Sequence, residues 1–438
     1  MTSQTGSIVV AATGDSMITR KISTHRGCER VAEIIRNADV GFTNCEMLFH
    51  KCESYSIPRG SGGGHNMYAE PYLAKELAWA GFKITSLCNN HTGDFGAYGI
   101  FSTMGALEDA ELIHAGAGRD LEEAREPKYL ETEKGRVALV ASCWDPGMER
   151  WERASKMKAG VPPRPGINLL RVETQHNLSK ASFDALVKIT SELGLNPPGE
   201  VSDSAPKGQE LTFLGSKFRH GSQTGVKRKV NSADLEENIR SIKDAKRSAD
   251  WVLASFHSEV VESKGKEYPP EFMCQYARDL IDAGADAFIG HGPHILRGIE
   301  IYKRRPIFYS LGNFIAGHYT VKKETYERYE FFGLDERSRP SDLREVQMGG
   351  TRTPPKPPYG EQRFSSVAAV FELSGDGLIA LRLYPLSLGL GEVQASHLGY
   401  PEIAEKKQAQ EITERIQKIS VQWGTKIALE NGVYKVTL

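Results

Sequence analysis

The sequence predicts an α/β fold built around largely buried strands. Short apolar runs alternate with amphipathic stretches from residue 7 to residue 143, and the same alternation resumes after a long break. Strands that alternate with helices are typical of layered α/β folds, in which both faces of a sheet are covered. With 438 residues, of which 39% are hydrophobic, the chain is long enough to bury a substantial core.

The first half of the predicted core consists of runs whose length and spacing match strands and helices. SIVVAAT (7–13) is a continuous apolar run of strand length, and residues 28–37 repeat apolar side chains at helical spacing. The elements that follow show the same two patterns: strand 39–44, helix 69–81, which ends on a glycine, strand 82–88, helix 98–110 and strand 136–143.

The second half resumes the alternation after residue 230. Its predicted elements are helix 233–249, strand 251–256, helix 270–283, strand 286–290, strands 298–303, 306–311, 365–373 and 378–386, and a helix at 401–421. Two proline-rich excursions with little periodicity interrupt the pattern, at 144–230 and 318–365.

We therefore expect one elaborated domain over residues 1–438. Its parts are a core of 7–143 and 231–317, insertions at 144–230 and 318–365, and C-terminal strands and a helix within 366–438. Long irregular segments in compact domains are usually functional or mobile. The two insertions are thus either walls and lids of a site or disordered surface segments.

Composition gives no reason to expect a nucleic-acid or membrane partner. Lys and Arg number 55 against 56 Asp and Glu, for a net charge of -1. The sequence shows no apolar run of the roughly 18 residues that a membrane helix needs, and we expect no signal peptide. Six cysteines without a C-x-x-C pair are expected to be reduced thiols of a cytoplasmic protein.

Polar residues suited to metal binding follow the C-terminal ends of five predicted strands. They are Asp15, Glu46, Asn90 with His91, His257, and His291 with His294. Ligands of open α/β sheets bind at that edge, and mixed His, carboxylate and amide ligation suits divalent zinc, manganese or iron. The donors are too many for one tetrahedral ion, so we expect two ions about 3.5–4 Å apart, with an activated water as nucleophile.

Six motifs carry a resemblance to a known family: GDSM, NCE, NNHTGDFGAYG, IHAGAG, GHGPHILRGIE and PIFYSLGNFI. In this order, over about half the chain, they resemble the CapA family of poly-γ-glutamate capsule synthesis, which is related to the calcineurin-like metallophosphoesterases. The resemblance implies a four-layer α/β/β/α sandwich with two long insertions and a dinuclear metal centre.

The resemblance also implies roles for single residues. Asp15 and His294 would hold one metal ion, Glu46 would bridge both ions, and Asn90, His257 and His291 would hold the other. His91 resembles the family's non-ligand histidine, which protonates a leaving group or stabilises an oxyanion. Asp94 is expected to orient His91 or the turn rather than to bind metal. Asn44 either supports Glu46 or is a turn residue.

Three positions depart from the family pattern. Met17 stands where the wider superfamily has a first-motif histidine, so one ion has an open position or takes another ligand. Ser258 and Glu259 replace a Trp-Gly pair after His257, which changes the pocket wall there. Gly292 replaces a residue that is often histidine and is expected to give a substrate room.

The expected function is that of a metal-dependent hydrolase acting on an acyl bond of a small molecule, as an amidase, esterase or thioesterase. A phosphoesterase and a non-catalytic accessory protein of poly-γ-glutamate synthesis remain open. Two further histidines could serve the site, His65 as a spare ligand and His318 as a residue facing it. The basic run 219–229 is either a solvated face or a surface that attracts an anionic substrate.

Overall fold

The computed structural model describes residues 6–57, 64–148, 151–195, 210–347, 360–389, 397–430 and 433–437, and it shows a mixed α/β fold. The chain divides into two compact units. One comprises Met1–Leu169 and Glu237–Leu438, and the other comprises Leu170–Glu236. The single-domain organisation expected from the sequence stays a prediction.

The strands of the described residues lie along the whole chain. In order they are β1 (Ser7–Met17), β2 (Val40–Cys45), β3 (Ile84–Ser86), β4 (Ile113–Ala115), β5 (Ala117–Gly118), β6 (Lys128–Thr132), β7 (Gly135–Cys143), β8 (Gly166–Ile167), β9 (Val172–Leu178), β10 (Glu210–Phe213), β11 (Ser216–His220), β12 (Gly225–Val230), β13 (Trp251–His257), β14 (Ala287–His291), β15 (Ile299–Tyr302), β16 (Arg305–Phe308), β17 (Asn313–Ala316), β18 (Ser365–Ser374), β19 (Gly377–Ser387), β20 (Glu402–Ile403), β21 (Lys426–Glu430) and β22 (Val433–Thr437).

The helices alternate with these strands from β1 to β4 and again from β12 to β14, whereas elsewhere several strands follow one another. In order they are α1 (Arg26–Arg36), α2 (Ala74–Trp79), α3 (Gly96–Glu108), α4 (Leu121–Arg125), α5 (Lys180–Glu192), α6 (Ser232–Ser248), α7 (Glu271–Ala283), α8 (Tyr326–Phe331), α9 (Pro340–Gln347) and α10 (Lys406–Ser420). In the ranges that the structure describes, no helix has both the length and the apolar composition needed to cross a bilayer.

The larger sheet of the first unit has β1 near its centre. Its strand order is β21-β22-β19-β18-β1-β2-β3-β4, with β17 also paired to β1 and β20 to β19. Strands β1 to β4 and β17 run parallel, whereas β18 runs antiparallel to β1. The register places Asp15 of β1 beside Asn44 on one side and Asn313 on the other.

The smaller sheet of the same unit has the order β15-β16-β14-β13-β7-β6. Strands β7, β13, β14 and β16 are parallel, and the edge strands β6 and β15 are antiparallel to their neighbours. Register pairs His257, the last residue of β13, with His291, the last residue of β14. Two histidines therefore leave adjacent strands at the same level.

One hydrophobic cluster takes side chains from both sheets. Val10 and Phe42 of the larger sheet and Leu253 and Ile289 of the smaller sheet belong to it, and each is fully buried. Burying a side chain of this kind contributes about 1.5–3 kcal/mol relative to leaving it exposed. The shared core explains why the predicted strands of this unit read as near-continuous apolar runs.

The observed elements differ from the predicted ones mainly at their ends. The strand predicted at 7–13 continues to Met17, because the polar residues after Thr13 still pair with β2 and β17. The helix predicted at 69–81 is a 3₁₀ turn, Pro71–Leu73, followed by the short helix α2. Gly81 then adopts a φ of 101°, which only glycine reaches without strain.

The second unit folds around a sheet with the order β10-β11-β9-β12. Helix α5 buries Phe183 and Thr190, and Asp234 accepts hydrogen bonds from Nε (2.8 Å) and Nη2 (3.0 Å) of Arg171. The sequence did not predict these elements because strands such as VETQHNL carry few apolar residues. The basic run 219–229 lies mostly exposed around β11 and β12.

Candidate metal centre

The predicted metal ligands lie at or just beyond the C-terminal ends of parallel strands in the first unit. Asp15 is near the end of β1, Glu46 follows β2, and Asn90 lies in the loop after β3. His257 and His291 end β13 and β14, and His294 is in the turn after β14. Asp15, Glu46, His257 and His291 are fully buried.

Asp15, His257 and His291 form the first group that could hold a metal ion. One donor atom of each lies within 4.8 Å of the others. The two imidazole Nδ1 atoms are 3.0 Å apart, and each lies within 3.9 Å of Asp15 Oδ1. The Nε2 of His291 is 2.7 Å from Ser255 Oγ, which can accept a hydrogen bond from a proton on that nitrogen. In that neutral form of the ring, the unprotonated Nδ1 faces the centre.

Asp15, Glu46 and His294 form the second group. The Nδ1 of His294 is 3.4 Å from Asp15 Oδ2, and its Nε2 is 3.7 Å from Glu46 Oε1. The backbone of His294 has a φ of 57°, a left-handed conformation that is uncommon outside glycine. A contact of 2.9 Å between its Nδ1 and Asn313 Oδ1 helps to hold the ring in place.

Glu46, His257 and Glu259 form a third group, which sequence reasoning missed. In the sequence, Glu259 stands out only as a departure from the family pattern. Its Oε1 lies 3.2 Å from His294 Nε2, and it accepts a hydrogen bond of 3.2 Å from Asn90 Nδ2. The signal that could have found it is an acidic residue two positions after a strand-end histidine, in the stretch FHSE.

Burial and the charges of neighbouring side chains both shift the pKa values of these groups, and for Asp15 and His294 the two effects oppose each other. Burial alone would raise the pKa of Asp15, but its hydrogen bond to His294 and the charge of that ring hold the pKa well below the usual range. Burial raises the pKa of Glu46 far above the usual value. Burial lowers the pKa of His291 to about 4 and that of His257 well below normal. For His294 burial acts the same way, but Glu46 and its other acidic neighbours raise the pKa to about 10.

The donor set fits divalent metal ions. Three buried atoms have no hydrogen-bond partner among the described residues: the two carboxylate oxygens of Glu46 and Nε2 of His257. A buried carboxylate without partners is costly, and a coordinated cation is one of the few ways to offset that cost. Neutral histidine and carboxylate are also the ligand types that zinc, manganese and iron accept.

His91 lies beside these groups, and Asp94 holds its ring. The Nδ1 of His91 is 2.7 Å from Asp94 Oδ2, which also accepts a hydrogen bond of 2.6 Å from the backbone N–H of Met67. The Nε2 of His91 lies 3.9 Å from Glu46 Oε1. This arrangement agrees with an orienting carboxylate and a ring that faces the centre, and the catalytic role of both residues stays a prediction.

Two amide side chains border the centre. Asn90 donates through Nδ2 to Glu259, so Oδ1 is the atom that it would offer to a metal ion. Asn44 donates a hydrogen bond of 2.8 Å to Asp15 Oδ1, and its own Oδ1 lies 3.3 Å from Asn89 Nδ2. Asn44 therefore positions Asp15, whereas the sequence suggested support for Glu46 or a turn.

The reason for glycine at position 292 differs from the sequence expectation. Gly292 has a φ of 115°, and a Cβ there would lie 2.7–2.9 Å from backbone atoms of Ser258. Its backbone N–H donates to Asp15 Oδ2 at 3.1 Å. Glycine is therefore needed for a close approach of two backbones rather than for substrate room.

The remaining candidates have other partners. Arg328 donates through Nη2 to Nε2 of His65 at 2.6 Å, so the His65 proton is on Nδ1 and points to Glu324 Oε1 at 2.9 Å. Both ring nitrogens of His65 are thus in use outside the three groups of potential metal ligands. His318 packs edge-on against His65, with ring centroids 6.0 Å apart.

Comparison with known proteins places residues 9–318 in the family described as "Bacterial capsule synthesis protein PGA_cap". The uncharacterized protein y4sH of Sinorhizobium fredii (strain NBRC 101917 / NGR234) is 34% identical over 442 residues, covering 98% of this chain and 93% of the relative. Capsule biosynthesis protein CapA of Bacillus anthracis is 26% identical over 254 residues, covering 57% of this chain and 44% of that protein.

A probable polyglutamine synthesis accessory protein of Mycobacterium tuberculosis (strain ATCC 25618 / H37Rv) is 24% identical over 254 residues, covering 55% of this chain and 48% of that protein. Among solved structures, a hypothetical protein from Thermus thermophilus covers 87% of this chain at 14% identity. The TM-score of the two structures is 0.36.

Proposed function

The chain belongs to the bacterial capsule synthesis protein family PGA_cap, and we propose that it is a metal-dependent hydrolase with a dinuclear centre. The bond that we propose it cleaves is an acyl bond, as in an amide, ester or thioester of a small molecule. The observation that carries the proposal is Glu46, a fully buried carboxylate with no hydrogen-bond partner on either oxygen among the described residues. It is shared by two of the three groups of potential ligands.

Six side chains would hold the two ions: Asp15, Glu46, Asn90, His257, His291 and His294. Bound divalent ions supply Lewis-acid polarisation of a carbonyl and a lowered pKa for water. His257 can serve only one ion as a neutral imidazole, because its second nitrogen carries the proton. Zinc, manganese and iron all suit this set of nitrogen and oxygen donors.

The chain's own contribution to bond cleavage is assigned to His91. With the Nδ1 proton donated to Asp94, the Nε2 atom faces Glu46 and is oriented to carry a proton to a leaving group. The Asp94 carboxylate would stabilise the ring when both nitrogens are protonated. Asp94 is thus a positioning residue and His91 the group that moves the proton.

We also propose the four-layer α/β/β/α arrangement of the metallophosphoesterases for the first unit. The support is the single hydrophobic cluster that both sheets share, together with helices that pack on each of them. Helix α1 contacts β2 of the larger sheet, and α7 contacts β14 of the smaller sheet. The cytoplasmic location expected from the sequence stays a prediction.

A second candidate is an accessory protein of poly-glutamate synthesis that acts with a partner protein. This candidate is supported over the hydrolase by two relatives, a probable polyglutamine synthesis accessory protein of Mycobacterium tuberculosis and a capsule biosynthesis protein of Bacillus anthracis. The density of buried donors favours the hydrolase. A phosphoesterase is the third candidate, since the same two-ion chemistry acts on phosphoryl groups.

Metal analysis combined with a substrate screen tests the proposal. We expect purified protein to carry about two transition-metal ions per chain and to hydrolyse acyl esters, thioesters or amides faster than p-nitrophenyl phosphate. Glu46→Gln should lose metal and activity together. Glu411→Gln, which changes an exposed carboxylate on α10, is the matched control.

Three outcomes would redirect the proposal. Metal-free protein that still folds would contradict the dinuclear centre. Two bound ions with dominant phosphatase activity would overturn the acyl substrate. Two bound ions without hydrolysis of any substrate class, combined with binding to poly-glutamate synthesis proteins, would favour the accessory role.

A further inference from the structure

Glu259 is held at the metal centre by the backbone around it. Its own N–H donates to Asp145 Oδ1, and the N–H of Ser258 donates to the carbonyl of His291 at 2.9 Å. The close approach of Gly292 to Ser258 fixes the same segment from the other side. The direction in which the chain leaves His257 is therefore determined by buried contacts rather than by a free loop.

The carboxylate of Glu259 points toward the other candidate ligands. Its Oε1 lies 3.2 Å from both His294 Nε2 and Asn90 Nδ2. The side chain keeps 37% of its surface exposed, whereas Glu46 is fully buried. Glu259 thus reaches the centre from its open side.

Two buried groups near this carboxylate have polar atoms that make no hydrogen bond among the described residues. Neither the Glu46 oxygens nor His257 Nε2 have a hydrogen-bond partner among the described residues. One donor atom each from Glu46, His257 and Glu259 lies within 4.8 Å of the other two. Ligands of one ion with bonds of about 2.0–2.2 Å lie at most about 4.4 Å apart, so only a small adjustment would let all three bind one ion.

We propose that Glu259 is a metal ligand, which completes one of the two ion positions together with Glu46 and His257. The inference rests on the dinuclear centre proposed above and adds a carboxylate that the family resemblance did not assign. It makes the centre richer in oxygen donors, with carboxylates from Asp15, Glu46 and Glu259. Such donors favour manganese more than an all-histidine set does.

The alternative is that Glu259 only accepts hydrogen bonds from His294 and Asn90. In the first role the negative charge of Glu259 binds the ion directly, and in the second it only positions other ligands. When a ligand loses its charge, the metal ion loses one of its bonds and binds more weakly. When a residue that only hydrogen-bonds to a ligand is changed, metal affinity typically falls by about 10–100-fold.

Titration of metal-stripped, full-length protein with Mn²⁺ separates these roles. Calorimetry should show two sites in the wild-type protein, and in Glu259→Gln one site should weaken by more than about 100-fold, beyond the range of outer partners. The Mn²⁺ electron paramagnetic resonance spectrum should change from that of a coupled pair to that of a single ion. Glu271→Gln, an exposed carboxylate at the start of α7, should match the wild-type protein.

Further variants and outcomes keep the test decisive. Glu259→Asp keeps the charge and should bind the second ion better than Glu259→Gln, and circular dichroism checks that both variants fold. Two ions of unchanged affinity in folded Glu259→Gln would overturn the role of Glu259 and leave the dinuclear centre standing. Wild-type protein that binds no Mn²⁺, Zn²⁺ or Fe²⁺ would instead refute the centre itself.

Discussion

At the scale of single residues, the backbone rather than side-chain flexibility directs the donors into the centre. His294 reaches Asp15 and Glu46 from a left-handed backbone conformation. Such conformations cost of order 1–3 kcal/mol and persist only where the surroundings determine them. Two contacts hold this conformation here. His294 contacts Asn313, and the backbone N–H of Gly292 donates a hydrogen bond to Asp15.

His91 provides the prediction at this scale. His91→Ala should keep the full metal content, because the ring lies outside all three groups of potential ligands. Turnover should fall by about 10²–10⁴-fold, the usual contribution of a positioned acid or base. Metal analysis and kinetics on the same preparation check the two expectations.

Asp94→Asn is the companion variant, since it removes the acceptor of the His91 ring proton and keeps the side-chain size. It should retain metal and lose part of the activity. A metal-free His91→Ala protein would contradict the assignment of His91 as a non-ligand.

The sequence predicted single donors better than their partners. Asp15, His257 and His291 stand directly at the ends of apolar strands, where the pattern itself marks them. Glu259 escaped notice because nothing in the sequence shows that its side chain turns back toward His294. That turn depends on Asp145, which lies more than a hundred residues away.

At the scale of elements, the sequence predicted strands whose burial is visible as an apolar run. Strand β13, WVLASFH, is buried at every position and matches the prediction closely. Strand β17 was not predicted, because four residues carry little pattern and its partner β1 lies about 300 residues earlier. Strands β9 to β12 escaped prediction because their residues are mostly polar and only partly buried, so no apolar run marks them.

The junction of β1 and β17 gives the prediction for elements. A Cβ on Gly14 would lie 1.7 Å from the carbonyl oxygen of Gly312, so Gly14→Ala must force the two segments apart. We expect a loss of stability on the order of 1–3 kcal/mol, as is usual for overpacking, and a lower metal content because Asp15 is the next residue. Chemical denaturation and metal analysis measure both effects.

Gly105→Ala in α3 is the matched control for this variant. Nothing lies within 4 Å of a Cβ at Gly105, and alanine in a helix interior is favoured over glycine by about 0.5–1 kcal/mol. Gly105→Ala should thus leave stability unchanged or raise it. Equal stability of Gly14→Ala and the wild-type protein would show that the junction is not rigid.

At the scale of the whole molecule, all six predicted ligands belong to the first unit, although they span residues 15 to 294. The ions would therefore tie together segments from both of its sheets. An ion that binds only the folded state stabilises that state by about 2.7 kcal/mol when its free concentration is 100 times its Kd.

A chelator should accordingly lower the melting temperature of the wild-type protein, and added Mn²⁺ should restore it. Glu46→Gln should show a smaller shift, because it binds the ions weakly or not at all. Thermal denaturation with and without chelator measures the difference. An unchanged wild-type melting temperature would argue that the centre holds no stabilising ion.

The position of β1 has a consequence for how the protein is made. This strand leaves the ribosome long before its neighbour β18, which ends at Ser374, the residue that pairs with Ser7. At about 5–20 residues per second, Ser7 waits on the order of tens of seconds for its partner to be synthesised. During translation the apolar run SIVVAAT is therefore exposed without one of its neighbours, which makes the nascent chain a candidate client of chaperones until β18 emerges.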